Sequence, residues 1–346
     1  MRNFSSKQVF LDALHGRPGE RVPVAPLATH FCARVMGISL NRYTSDAVAL
    51  ADAVLCYHER FRPDAVVISA DTWVSAEAMG AQVWTLGEDQ PWGGTGVSLV
   101  RSIGDVRLLP SPDPTQQGRC PLMLEVTRRV VDQIGAETAV IACFDQFPFS
   151  LAAALMDINE LMLALDDEPE LVRALMERCH AQALAYGQAL AEAGADVLTG
   201  GDSPAGLIGP HRYRELVLPF EQRLIAELKA TTGKPISLHI CGDARHILQD
   251  MARSGADILE IDYRTDLAEA CRTVGSEVAL WGNLDPVALL AQSDPATVCA
   301  AAKQALAAAA GHRRFILGSG CTLAVETPFE NVDALIGAAH DFDSIP

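Results

Sequence analysis

Gly194-Ala195-Asp196-Val197-Leu198-Thr199-Gly200-Gly201-Asp202 carries the pattern that decides the fold. A glycine closes a helical stretch, a short apolar run follows, and an acid stands at its end. The same order returns in Pro63-Asp64-Ala65-Val66-Val67-Ile68-Ser69-Ala70-Asp71, with proline in place of the glycine, and in Gly255-Ala256-Asp257-Ile258-Leu259-Glu260-Ile261-Asp262. Each copy reads as helix stop, strand and acid. Counted along the chain, such runs fall at Val22–Leu27, Ala65–Ala70, Ala139–Phe144, Asp196–Thr199, Pro235–Cys241, Asp257–Ile261, Val278–Trp281 and Phe315–Leu317. Between them, Ser45–Phe61, Glu168–Ala193, His211–Ala230 and Arg245–Ser254 have helical spacing.

Strand-helix alternation of this kind gives a parallel sheet in an α/β protein. Eight units favour a closed barrel, and no GxGxxG follows the first strand to argue for an open dinucleotide-binding sheet. The expectation is a single (β/α)8 TIM barrel domain over residues 1–346. One stretch, 72–118, breaks the pattern with Trp73, Trp84, Trp92, a Gly93-Gly94 turn and several prolines. It reads as an elaborated loop or hairpin inserted after the second strand. It either walls the carboxyl face, where barrels build their active sites, or covers the barrel side.

Composition narrows the function. The 346 residues are 49% apolar and 21% charged, as in a globular protein with a large core. A net charge of -17 opposes binding to nucleic acid or to anionic lipid. No apolar run has the roughly 20 residues of a membrane span, and the polar start resembles no signal peptide, so a cytoplasmic location is expected. Nine cysteines, scattered and odd in number, point to reduced thiols rather than a disulfide framework.

Among those cysteines two stand out. His239 and Cys241 are two apart in the fifth run, so the pleat turns both side chains to one side. Cys321 follows Gly318-Ser319-Gly320 at the end of the eighth run, where its sulfur could lean over the barrel centre. One imidazole and two thiolates form a favoured zinc set, and three protein ligands leave a fourth position open for chemistry. The plain alternative is three satisfied core residues.

Acids at the strand ends, Asp71, Asp145, Asp202 and Asp262, can orient a ligand, bind substrate, move a proton or cap a helix. Asp202 is the strongest functional candidate, because Ser203 and Pro204 can take over the capping. Asn283, at the seventh strand end in Trp281-Gly282-Asn283-Leu284-Asp285-Pro286, can hydrogen-bond a ligand or simply shape a turn. His30 and Cys32, after the first run, are outside candidates. The remaining cysteines read as packing.

The runs Leu238-His239-Ile240-Cys241-Gly242-Asp243, Gly282-Asn283-Leu284-Asp285-Pro286 and Gly320-Cys321, with Thr327-Pro328-Phe329-Glu330-Asn331-Val332, resemble the uroporphyrinogen decarboxylase superfamily. The His-x-Cys plus distal Cys pattern is similar to its zinc-containing, cobalamin-dependent methyltransferase branch. That resemblance implies zinc on His239, Cys241 and Cys321. It also implies a thiol acceptor such as coenzyme M, and a methylated corrinoid (methylcobalamin) as donor. The chain carries no Asp-x-His-x-x-Gly corrinoid signature, so the donor is expected on a separate corrinoid protein that docks at the carboxyl face, or as free cofactor.

Two alternatives remain open at this point. One is a metal-free tetrapyrrole decarboxylase, for which Asp71 would be the pyrrole-binding acid; against it, the segment Ala28–Arg34 contains a single arginine. The other is a non-enzymatic corrinoid- or metal-binding module. The acceptor, a thiol or another methyl acceptor, is not identified, since Arg34, Arg212 and a helix N-terminus are all conceivable anion clamps and none stands out. Glu77, Asp202 or water could complete the zinc shell.

Overall fold

In the computed structural model, which describes residues 5–93 and 98–342, the chain forms a TIM-barrel-like α/β fold. Its strands are β1 (Ala65–Ile68), β2 (Val83–Thr85), β3 (Pro91–Gly93), β4 (Ala139–Gln146), β5 (Val197–Gly201), β6 (Ile236–Ile240), β7 (Ile258–Ile261), β8 (Ala279–Leu284) and β9 (Phe315–Ser319). Seven of them pair in parallel in the order β1-β4-β5-β6-β7-β8-β9.

The run Val22–Leu27, expected as the first strand, closes the ring without forming a regular strand. Val24 makes a single parallel bridge to Leu317. Ala25 N donates to Leu317 O at 2.8 Å, Leu317 N to Pro23 O at 2.9 Å, and Asp64 N to Val24 O at 2.9 Å. Pro23 and Pro26 have no N–H to give, so a ladder cannot extend along this segment.

Period-two alternation sorts the strand side chains into two apolar groups. Val66, Ile68, Val140, Ala142, Leu198, Leu238, Ile240, Leu259, Leu280 and Leu317 face outward into the core beneath the helices. Ala65, Val67, Ala139, Ile141, Val197, Ile258, Ala279, Trp281 and Ile316 face the barrel axis. The helix Ser6–Leu14 packs against β1, β4 and β9 and adds Phe10 and Leu14 to this inner group. Phe10 meets Trp281 edge-on at 6.3 Å, and Trp281 Nε1 donates to Ala25 O at 2.7 Å. The apolar filling gives way on the same inward positions to Thr199, Ser237, His239 and Glu260. A polar layer therefore rests on a closed apolar base.

The 72–118 region holds the helix Val74–Ala78, the antiparallel hairpin β2-β3 and the helix Ile103–Leu108. Gly94 of the expected turn lies outside the described residues. Trp84 and Trp92 pair across the hairpin and are 39% and 46% exposed. Elsewhere, the helix expected over Arg245–Ser254 shrinks to Leu248–Met251. Asp243 accepts from Arg245 N at 3.3 Å in a local turn, and the chain reaches helical geometry only a few residues later. Among the described residues no single helix is long and apolar enough to cross a membrane.

Candidate metal centre

The end of β6 with the turn that follows it, and the turn after β9, bring three side chains together at the polar layer. His239 Nε2 lies 2.8 Å from Cys241 Sγ, and Cys241 Sγ lies 3.5 Å from Cys321 Sγ. Potential ligand atoms of all three residues fall within 4.8 Å of one another, and no other such group of His, Cys, Asp and Glu occurs among the described residues. Two glycines make this approach possible. Gly242 turns the chain at φ +83°, and a Cβ on Gly320 would stand 2.5 Å from Tyr263 N.

The three groups perturb one another. Hydrogen bonding with Cys321 holds the Cys241 thiol below its ordinary range, while that contact and burial push the Cys321 thiol up to about 12. Burial would lower the His239 pKa, but hydrogen bonding to Cys321 and the nearby Glu260 and Cys321 charges raise it overall. One imidazole and two cysteine sulfurs, one of them with a lowered pKa, form a donor set that fits zinc.

Glu260 is a site residue that sequence reasoning misses. It pairs with His239 across the β6-β7 register, and its Oε2 lies 3.6 Å from His239 Nδ1. Its Oε1 accepts from Ser237 Oγ at 2.7 Å and from Thr199 Oγ1. At 3.6 Å the Glu260 and His239 side chains are not hydrogen-bonded, and His239 Nδ1 is a buried nitrogen with no hydrogen-bond partner among the described residues. Glu260, anchored by two hydroxyls, is the carboxyl group beside it and the one a small shift would bring into a hydrogen bond with Nδ1–H, leaving Nε2 as a ligand. An acid inside the apolar run Ile258-Leu259-Glu260-Ile261 was the available signal. Glu260→Gln is expected to lower zinc affinity roughly 10- to 100-fold, read by competition with a chromophoric chelator; an unchanged affinity would remove Glu260 from this role.

The strand-end acids are occupied by backbone amides. Asp262 accepts from Gly242 N at 2.9 Å and so steadies the turn that carries Cys241. Asn283 donates to Asp262 O at 3.3 Å and Thr265 O at 2.7 Å, bracing the same loop. Asp71 accepts from Trp73 N at 2.8 Å and is gripped on both oxygens by Arg119. Asp145 accepts from Ser75 N at 2.8 Å, and burial pushes its carboxyl up to about 8. His30 Nε2 meets Ala70 O at 2.7 Å, and the Cys32 thiol is turned to Ala28 O.

Asp202 lies outside the trio and is fully buried. Its Oδ1 accepts from Ser150 N at 2.6 Å in the first turn of the helix Pro148–Met156. Its carboxyl also neighbours that of Glu221, which accepts from Tyr213 Oη at 2.5 Å. Burial raises both acids, Glu221 from 4.5 to about 7. Folded Glu221 thus holds its proton more tightly than unfolded Glu221. Its contribution to stability is complete below about pH 4.5 and is lost as pH rises through about 7. Glu221→Gln, which keeps the group neutral, is expected to flatten the decline in stability between pH 5 and pH 9, measured by urea unfolding at each pH. A decline as steep as in the wild type would refute this assignment.

The uroporphyrinogen decarboxylase family profile matches residues 5–342. The chain belongs to that family. It is 27% identical to the methylcobamide:CoM methyltransferase MtaA of Methanosarcina barkeri over 99% of both chains. It is 33% identical to a uroporphyrinogen decarboxylase of Roseiflexus over 82% of both. In structure it resembles a methyltransferase from Methanosarcina mazei, with a TM-score of 0.88 and 26% identity over 98% of this chain and 99% of that one. A B12-independent methionine synthase from Shewanella, at TM-score 0.54 and 13% identity, shares the fold alone. Identity by itself therefore does not choose between these two kinds of relative, and the choice falls to the site.

Proposed function

We propose that this chain is a zinc-dependent methyltransferase that moves a methyl group from a methylated corrinoid to a thiol. The observation that carries the reading is the convergence of His239, Cys241 and Cys321 within 4.8 Å at the barrel mouth. Likeness to methylcobamide:CoM methyltransferases along nearly the whole chain supports it. Zinc on these three residues supplies a Lewis acid that favours the deprotonated, nucleophilic form of an acceptor thiol.

The chain's own residues do the positioning. Cys241 and Cys321 present their sulfurs, Glu260 orients His239, and Asp262 with Asn283 fixes the turn behind Cys241. Asp71 and Asp202 act at a distance, Asp71 by holding Trp73 N and Asp202 by holding Ser150 N in the first turn of the helix Pro148–Met156. In the transfer, an S–C bond forms as the C–Co bond of the methylated corrinoid breaks. The bonding pair stays on cobalt, and the thiol proton has left to solvent. Attack at carbon needs sulfur, carbon and cobalt in line, so the corrinoid must approach from the open carboxyl face. A separate corrinoid protein docking there, against the 72–118 hairpin, would deliver it.

A decarboxylase reading draws support from the 33% identity to the Roseiflexus enzyme. Against it stand Asp71, engaged by Arg119, and Arg34, which donates to the carbonyls of Val325 and Thr327. The deciding experiment measures zinc in purified protein and the loss of methylcobalt absorbance when methylcobalamin and a panel of thiols are added. One zinc per chain with thiol-dependent demethylation is the expected result. Zinc-free protein that decarboxylates a tetrapyrrole would overturn the proposal.

A further inference from the structure

Beside Cys241 and Gly242 a pocket of about 490 Å3 opens into the barrel mouth. Its wall is largely apolar, made by Trp73, Ala153, Ala154, Ile158, Pro204 and Leu207. On water's share of roughly 30 Å3, it takes far more than a two-carbon chain. Because Cys241 belongs to both the trio and this wall, a thiol held by a metal on the trio would have this pocket beside it.

The pocket is also built against anions. No Lys, Arg or His is among the described residues that line it, and Asp157 contributes an acidic edge. Two helices begin at it, and helix starts ordinarily attract anions. Each already has an acidic side chain on one of its first N–H groups. In Pro148–Met156, Ser150 N is given to Asp202 at 2.6 Å, and in Ile158–Asp167, Asn159 N is given to Asp157 at 2.9 Å.

Arginines near the carboxyl face but outside the pocket lining have partners of their own. Arg119 holds Asp71 and Glu77, Arg34 holds two carbonyls, and Arg264 lies against its neighbour Tyr263. A sulfonate or carboxylate in the pocket would give up part of its hydration against a largely apolar wall with no cationic side chain among the described lining residues to offset it, which is unfavourable.

We infer that the acceptor is a thiol with an uncharged, largely apolar tail, and that the pocket between Trp73, Ala154 and Leu207 holds that tail. The inference rests on the thiol-methylation reading and narrows it to a substrate class. Two thiols with the same four-carbon spacer test it: 4-phenylbutane-1-thiol and 4-mercaptobutane-1-sulfonate. Binding is read on cobalt(II)-substituted protein by the sulfur-to-cobalt charge-transfer band, so turnover is not needed.

The phenyl thiol is expected to bind at least tenfold more tightly. Ala154→Trp, which fills the pocket, should reduce that affinity at least tenfold without changing metal content. Leu207→Arg, at a position 73% exposed and therefore tolerant, should narrow the gap between the two thiols at least threefold. Equal or tighter binding of the sulfonate by the wild-type protein would overturn the inference, and so would a Leu207→Arg variant in which the gap stays intact.

Calorimetry with methyl 4-phenylbutyl sulfide on metal-free protein separates this inference from the functional reading. Should the protein hold no metal, the methyltransferase reading fails; sulfide binding that Ala154→Trp abolishes would still sustain the apolar site. Absence of sulfide binding would overturn the site itself. Displacement of the sulfide by cobalamin but not by thiols would assign the pocket to the donor and overturn the inference.

Discussion

Cys321→Ala is expected to purify without stoichiometric zinc and to lose methyl transfer by about a thousandfold or more, beyond the roughly 10- to 100-fold effect of losing a partner that only orients a ligand. Removing this sulfur leaves His239 and Cys241, two ligands from a single strand end, and the contribution from across the barrel is gone. A two-ligand site has neither the charge nor the enclosure of a three-ligand one. The fold should tolerate the change, because Cys321 is only half-buried and lies in a turn after β9. Urea unfolding within about 1 kcal/mol of the wild type would document that. Cys299→Ala, remote from the site and equally half-buried, is the matched control and should keep its zinc. Should Cys321→Ala retain one zinc and wild-type transfer, the metal centre would have to lie elsewhere.

The trio was legible because each member carries a local signal: a two-residue spacing inside a strand, a glycine-rich turn, and residue types that few other roles combine. The barrel was legible for a similar reason, since its repeat is written in short segments. What escapes reading is relational. Glu260 faces His239 only because β6 and β7 pair in one register out of several, and spacing along one strand says nothing of the next. The acids at the strand ends were visible as a set, but their partners were not. Asp71, Asp145, Asp202 and Asp262 each accept a backbone N–H from a loop or helix start, whose proximity is decided by packing. The segment that closes the ring reads as a strand from its apolar content, although Pro23 and Pro26 already deny it a full ladder.

Arg119→Leu is expected to destabilise the protein by about 3–5 kcal/mol, the usual cost of leaving one partner of a buried ion pair alone. The guanidinium grips both oxygens of Asp71, donates from Nε to Glu77 at 2.6 Å and reaches Thr44 O at 3.3 Å. The Asp71 side chain is 2% exposed, so water cannot replace what Arg119 provides. Burial opposes the charge on Arg119, yet the two acids beside it hold its pKa above the ordinary value, which keeps the guanidinium charged.

Adding Asp71→Asn to Arg119→Leu removes the stranded charge while keeping an acceptor for Trp73 N. The double variant should therefore recover most of the loss, and a coupling well above about 1 kcal/mol in the double-mutant cycle is the signature. The consequence reaches the site through Trp73, whose backbone N–H is tied to Asp71 and whose ring packs so closely on Gly93 that a Cβ there would come within 2.1 Å. Releasing Asp71 loosens one wall of the apolar pocket, so the single variant should also weaken binding of an apolar thiol with zinc content intact. Unfolding free energy within about 0.5 kcal/mol of the wild type, the ordinary range for surface substitutions, would show that the pair is not the brace described.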